Sequence, residues 1–530
     1  MNKFAERIRN ILLVNPKFPR IHQNYDYILP ATGAKFIAPP LSLLTISALI
    51  PPEYKVKLID LNVSPLQDED IIWADAVFMT GIVAQVESMM QIAIRCKKQP
   101  KNILLIIGGL YISVYEEKFL PYADAIVQGE AETIINPLIE DMQSGKLKKR
   151  YTILPEYIDM RLSPCPRFDL VNPSNYLIWT LQYSRGCPYN CEFCGLTYFY
   201  GNKPRAKTIE QFTGELEAVY RTGFRGVIML GDDNFHHAPL VKELLEAMAE
   251  WQKQKGYPFM FFTQTDISIM KEKELMNLMV KAGFTSLQIG IESPSTSSLK
   301  SMNKMHNTSL NLLDAIHTIH KHGLEVQSAM LIGVDGDPEN IADLQFEFLQ
   351  QAGTPRCMIS LLRPYRGTRL YDRLVKEGRI LEHEPSGNQT DDFVLNYIAC
   401  MGNDKLLEET VKLVRNLYEP SNYFKRCWRC LKSLSTKNRI KHPLSFRSLR
   451  IFLNYWRYCK AFEYNRHFVA FLLKVLFSMP AKITLAAGFG ILGYHYYMMA
   501  QRAKVGKREY IEEIKTTGEV VDDGKTTEKK

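Results

Sequence analysis

Short apolar runs alternate with mixed, helix-like stretches along residues 9–150; the runs cover 11–16 (ILLVNP), 55–62, 75–81, 102–109 and 124–130. Continuous Val, Ile and Leu bounded by turn residues is the pattern of a parallel strand buried on both faces. Several runs end in Gly, Asn or Asp, at the carboxyl ends where doubly wound sheets bind ligands. Residues 1–150 are therefore expected to form a Rossmann-like α/β domain of five strand–helix units.

Residues 151–175 carry Pro155, Pro164, Pro166 and Pro173 and read as a linker. A second series follows, with strands expected over 178–186, 226–232, 259–265, 286–292, 325–333 and 357–364, separated by helices such as 208–222, 240–255 and 272–282. Six strands alternating with helices predict a partial (β/α)6 barrel over 176–400. From 401 to 508 the pattern turns helical and basic, and 509–530 is a polar tail.

A chain of 530 residues has ample material for several such domains. Ten Cys are too few for a disulfide scaffold, and residues 1–10 run into the first strand without a leader-like segment. A reducing cytoplasm is expected, where clustered Cys mean metal or catalysis. The net charge of +9 is uneven: from Lys425 to Arg508 there are 18 Lys and Arg against one acid, Glu463.

The sharpest chemical signal is Cys187-Pro-Tyr-Asn-Cys191-Glu-Phe193-Cys194, directly after the first barrel strand. Three thiolates in one loop suit three irons of a 4Fe–4S cube, leaving the fourth iron an open position. Zinc wants four ligands, commonly in paired knuckles, and no second pair follows within twenty residues.

A CxxxCxxC loop with an aromatic before its last Cys, opening a six-strand barrel, resembles the radical S-adenosylmethionine (SAM) superfamily. The resemblance implies that the open iron chelates SAM and that its reductive cleavage yields a 5′-deoxyadenosyl radical. It implies SAM contacts from Phe193, from Asp233 and Asn234 at the end of the second barrel strand, from Glu292 at the end of the fourth, and from Ser328 on the fifth. Taken alone, an Asp-Asn at a strand end is more often a helix cap.

The preceding domain resembles the cobalamin-binding domain of class B radical SAM enzymes. Asn15-Pro16, Thr80-Gly81, Gly108-Gly109 and Gly129-Glu130 match its loops, with glycines that let backbone approach a large planar ring. The Asp-x-His-x-x-Gly motif is absent and His22 is the only His before His236, so no axial His is expected from this domain. No G-x-G-x-x-G follows the first strand, which argues against a nicotinamide.

Further motifs, among them 39–45 (PPLSLLT), 182–187 (QYSRGC), 204–207 (PRAK), 232–235 (DDNF) and 367–371 (GTRLY), are similar to the subgroup containing the hopanoid C-2 methylase. The resemblance implies a cobalamin-dependent C-methyltransferase acting on an unactivated carbon of an apolar, lipid or isoprenoid-like substrate. An external flavodoxin- or ferredoxin-like donor would supply electrons. A cyclase or rearrangement enzyme without methyl transfer, and a non-catalytic sensor, are the alternatives. Departures at 195–196, 236–237, 265–266 and 363–366 fall at barrel strand ends, where substrate would sit.

His236, His237 and Tyr365 are candidate substrate-side groups, with a plain helix start as the other reading of the two His. Arg363 and Arg366 would meet an anionic substrate or belong to a solvated loop. Cys427 and Cys430 form a lone CxxC without a partner pair and read as structural thiols. The basic segment interleaves Arg and Lys with aromatics, and residues 483–501 carry no formal charge. Three readings stand: peripheral membrane contact, a soluble helical cap, or a span. Nucleic acid is disfavoured because apolar residues dominate the segment.

Overall fold

The computed structural model describes residues 8–381, 392–440 and 446–505, so the tail 509–530 lies outside the described residues. Six parallel strands make the first sheet: β1 (Asn10–Asn15), β2 (Lys55–Asp60), β3 (Ala76–Thr80), β4 (Leu104–Gly108), β5 (Ala125–Gln128) and β6 (Arg150–Thr152), in the order β2-β1-β3-β4-β5-β6. Leu12, Val14, Val77 and Met79 turn into one core, and Ile11, Leu13, Ala76 and Phe78 into another on the opposite face. Burial on both faces is why these strands read as unbroken apolar runs. The strand β6 was not expected. It has three residues, of which only Tyr151 turns inward, so no apolar run announces it. The strand order reverses between β1 and β3, and a crevice forms at their carboxyl ends.

The second sheet is also parallel and runs in strict chain order: β7 (Trp179–Leu181), β8 (Gly226–Leu230), β9 (Phe259–Thr265), β10 (Phe284–Glu292), β11 (Glu325–Ile332) and β12 (Cys357–Leu361). β7 and β12 are its two edges, so the barrel stays open. The first strand stops earlier than the sequence suggests. Beyond Leu181 the Asp232 carboxylate accepts the backbone N–H groups of Tyr183 (3.2 Å) and Ser184 (2.5 Å), which replaces the ladder. Ser184–Arg185 then pairs antiparallel with Arg205–Ala206.

Residues in register share a face of the sheet. Thr180, Met229 and Phe262 align on the inner face, as do Gln264, Gln288 and Gln327, and Ala329 with Met358; all are half-buried. Their neighbours Leu230, Phe261, Ile289 and Val326 are fully buried beneath the outer helices.

Of the C-terminal helices, Asn403–Tyr418 and Pro420–Ser433 pack against the barrel's outer helix Ile341–Ala352, Phe462–Ser478 and Ile483–Arg502 pack on those two, and Phe446–Tyr458 lies against Leu29–Thr32. No helix among the described residues is long and apolar enough to cross a membrane. The uncharged stretch instead forms the helix Ile483–Arg502, buried at Phe489, Gly490, Gly493, Tyr494 and Tyr496. A Cβ on Gly490 would lie 1.8 Å from the Phe468 ring, so the glycine permits close helix contact. Cys427 and Cys430 are buried on the helix Pro420–Ser433, and burial pushes both thiols up.

Candidate active site

The cysteine loop leaves β7 through Arg185 and Gly186 and ends at the short helix Leu196–Tyr200. Gly186 has φ +99°, and a Cβ there would meet the Lys203 carbonyl at 2.7 Å, so only glycine turns the chain into Cys187. The loop is tied down along its length. Glu192 N–H donates to the Met302 carbonyl (2.9 Å), the Glu192 carbonyl accepts from Leu370 N–H (3.0 Å), and the Glu192 carboxylate receives Arg373 (2.7 and 3.1 Å). Phe193 is half-buried against the barrel core.

None of the three cysteines is in a disulfide. Burial pushes Cys187 and Cys191 up and Cys194 to about 12, so ionising them requires nearby positive charge. One such charge is Lys304. Burial acts to lower it, but the carboxylate of Glu292, 2.9 Å away, and the thiols hold it above its usual range. Glu292 sits at φ +64°, a strained backbone that ends β10. Three free thiols on one anchored loop beside a cation fit iron as a soft-ligand metal.

Three successive side chains after β8 hold the approach to the loop. Asp232 accepts from Ser184 Oγ (2.5 Å) as well as the two backbone groups, Asp233 accepts from Gly186 N–H (2.7 Å), and Asn234 Nδ2 points at Cys187 Sγ (3.6 Å). Burial raises Asp232 to about 7 and Asp233 to about 6. Asn234 precedes the one-turn helix Phe235–His237 but makes no cap bond, so the cap reading is corrected. Its amide donates to Asp266 (2.9 Å), which also pairs with His237 (3.0 Å). Although burial acts to raise Asp266, these bonds and His236 hold it well below the carboxylate range.

The two His begin that one-turn helix, but their rings turn toward the site. His236 bonds Thr265 Oγ1 (2.5 Å) and Ser268 Oγ (3.2 Å), and burial lowers it to about 4. Tyr189 of the cysteine loop stacks on His306 at 3.7 Å. Asp266 is one of the strand-end departures of the sequence, whereas Lys304 and His306 carry no sequence signal. Nothing local marks them, since the cysteine loop brings them together. Ser328 is a correction. It lies in register with Ile289 and Cys357, on the helix-facing side of the sheet, and is 2 % exposed, so it does not face the barrel mouth. Arg366 is another: it pairs with Glu117 (2.8 Å) and stacks on Tyr115, joining the barrel to the first domain. Arg363 is buried and not part of a solvated loop.

A cavity of about 480 Å³ lies between the two sets of strand ends. Asn15, Thr80, Gly81, Gly108, Gly109, Gly129 and Glu130 line it from the first sheet, and Thr180, Gln182 and Gly231 from the barrel. Pro39, Pro40 and Leu41 add an apolar wall, and no imidazole among the described residues lines it. Pro16 is not on its surface; its carbonyl accepts from Gln85 Nε2 at 2.7 Å. Gly109 and Gly129 have positive φ, and a Cβ would meet Thr80 Oγ1 at 2.4 Å and Ile153 Cγ2 at 2.8 Å, so the fold itself demands them. Glu130 lines the cavity, yet its carboxylate is spent on Arg185 (2.8 Å), Arg205 (3.0 Å) and the N–H of Ile158 (2.9 Å). His22 stacks on Tyr496 at 4.4 Å, on the C-terminal helices. A cavity edged by backbone at five glycines fits a broad flat group, and it adjoins Arg185, two residues from Cys187.

An open parallel barrel entered through a three-cysteine loop, preceded by a Rossmann-like sheet, defines a class. The family model described as the radical SAM superfamily matches residues 181–346, and one described as a domain of unknown function (DUF4070) matches 368–509. The chain is 33% identical to an uncharacterized methyltransferase of Synechocystis sp. over 80% of its own length and 78% of the relative's. It is 32% identical to the hopanoid C-2 methylase of Rhodopseudomonas palustris, over 79% and 78% of the two chains. The solved structure of the cobalamin-dependent SAM radical enzyme OxsB, with aqua-cobalamin and SAM bound, shares the fold at a TM-score of 0.62 and 14% identity, covering 98% of this chain and 82% of that one. The chain belongs to the radical SAM methyltransferase family that contains these two relatives.

Proposed function

We propose that this chain is a cobalamin-dependent radical SAM C-methyltransferase acting on an unactivated carbon of an apolar, lipid or isoprenoid-like substrate. Cys187, Cys191 and Cys194 hold a 4Fe–4S cluster; Phe193, Asp233, Asn234 and Glu292 surround the SAM site; the cavity edged by Thr80–Gly81, Gly108–Gly109 and Gly129 takes cobalamin. The observation that carries the reading is that shared mouth, where both sets of strand ends open on one cavity next to the cysteine loop. When bound, the cluster, SAM and cobalamin supply a hydrogen-abstracting radical and a transferable methyl group.

The protein's part is positioning and exclusion of water. Glu130, Arg185 and Arg205 lock the first domain onto the loop, and Lys304 offsets thiolate charge. The inner barrel face offers Met229, Phe262, Ala329, Met358 and uncharged amides, which suits an apolar substrate. Electrons come from an external flavodoxin- or ferredoxin-like donor.

The test is anaerobic incubation of reconstituted, reduced protein with methyl-labelled SAM and a lipid extract. Labelled lipid with both S-adenosylhomocysteine and 5′-deoxyadenosine is expected. 5′-Deoxyadenosine alone contradicts methylation and favours cyclisation or rearrangement.

A further inference from the structure

The helix Phe462–Ser478 is apolar on two sides. Tyr464, Phe468, Phe471 and Val475 recur at three- and four-residue spacing and are buried against the neighbouring helices. Phe462, Val469, Leu473, Leu476 and Phe477 form a second stripe at the same spacing, and that stripe faces outward. Phe462 is 79% exposed and Phe477 84%. At 1.5 Å per residue the stripe is about 22 Å long. The preceding helix, Phe446–Tyr458, adds Phe446 (93%), Leu449, Leu453 and Tyr458. The two helices meet where Trp456 stacks on Phe468. Of the large apolar side chains exposed among the described residues, nearly half lie on these two helices, while the barrel's outer helices show few.

The charges around the stripe share one sign. Arg450, Arg457, Lys460, Arg466 and Lys474 are exposed, and the sole acid, Glu463, is already paired with Arg466 at 2.7 Å. Beside the stripe, an open groove between this helix and Pro420–Ser433 is lined by Lys425, Arg429, Arg466 and Lys474, with Trp428 and no carboxylate. Apolar side chains rimmed by cations, with an anion-ready groove alongside, complement a surface whose interior is apolar and whose headgroups are negative. Among the described residues no helix is long and apolar enough to cross a membrane, and the proposal is of surface contact.

We propose that the outward faces of Phe446–Tyr458 and Phe462–Ser478 dock this protein on an anionic lipid bilayer, with phosphate headgroups entering the groove at Lys425, Arg429 and Lys474. The proposal stands independently of the reaction assigned above.

The test is co-sedimentation of the full chain with extruded vesicles of phosphatidylcholine alone or mixed with phosphatidylglycerol, alongside light scattering without vesicles. Binding to the anionic vesicles is expected, at least tenfold weaker on the neutral ones and weakened by raised salt. F462D/F477D should lose at least tenfold of that binding with unchanged thermal unfolding, because both side chains are largely exposed. R457E/K460E should lose binding in the same direction and serves as the second variant. A wild-type chain that ignores anionic vesicles overturns the proposal. So does a stable dimer that F462D/F477D dissociates, which would assign these faces to a second copy of the chain.

Discussion

Glu130, at the end of the first sheet, forms an ion pair with Arg185, which leads into the cysteine loop, at 2.8 Å and with side-chain exposures of 1% and 13%. The two belong to different domains and are 55 residues apart. Through them the floor of the cavity is tied to the cysteine loop. Replacing Glu130 by Gln leaves Arg185 and Arg205 sharing one fewer buried carboxylate. Breaking one side of a buried pair typically costs about 3–5 kcal/mol. Glu132, 2.8 Å from the other nitrogen of Arg185, remains to soften the loss, so the lower end of that range is expected. Urea unfolding of E130Q against wild type measures it; an unchanged midpoint would show that the domains are not coupled there.

Acid sensitivity should centre on buried histidines. Burial lowers His320 to about 3; its ring bonds Ser433 Oγ at 2.8 Å and joins the barrel to the helix Pro420–Ser433. In the unfolded chain this group titrates near 6.5. Its contribution is complete above about pH 6.5 and is lost as pH falls toward 3, because the unfolded state then binds the extra proton. The slope is about 1.4 kcal/mol per pH unit for one such group. H320Q should flatten stability against pH between 4 and 6.5 by that amount, as read by thermal unfolding at several pH values. Parallel curves for the two proteins would rule the histidine out.

Gly490 offers a test by sign. In an isolated helix, Gly to Ala stabilises by about 1 kcal/mol. Here the added Cβ would sit 1.8 Å from Phe468. Overpacking of that kind costs about 1–3 kcal/mol. G490A should lower the melting temperature, and a rise would mean that the helices Phe462–Ser478 and Ile483–Arg502 pack more loosely than described.

Asn234 donates toward Cys187 Sγ at 3.6 Å. Hydrogen bonds to cluster sulfurs help set the reduction potential. N234L removes a donor that favours the reduced, more negative state, so the cluster potential should fall by on the order of tens of millivolts. Potentiometric titration followed by EPR reads it, and an unmoved potential would detach Asn234 from the cluster.

Much of this was legible along the chain because it is local. Unbroken apolar runs announce doubly covered strands, and Cys187, Cys191 and Cys194 lie within eight residues. The glycines at 108–109 and 129 are legible as strand-end glycines, though for Gly109 and Gly129 the neighbours Thr80 and Ile153 explain them as much as any ligand. Three things were hidden. The resemblance alone implied Ser328, and a one-residue difference in facing separates the mouth from the helix layer where it lies. Lys304 and His306 look like loop polars until Tyr189 and the cysteines are folded over them. The ion pair of Glu130 is a long-range contact that no periodicity encodes.

The central claim is that three thiols of one loop hold an iron–sulfur cluster with a vacant corner for SAM. Anaerobic reconstitution of the wild type and of C187A/C191A/C194A, followed by iron and sulfide quantitation and visible absorption, tests it most directly. The account predicts about four irons and four sulfides per chain with the broad brown absorption of such clusters in the wild type, and loss of all three signals in the triple variant. A wild type without iron, or a triple variant that keeps its colour, would contradict it.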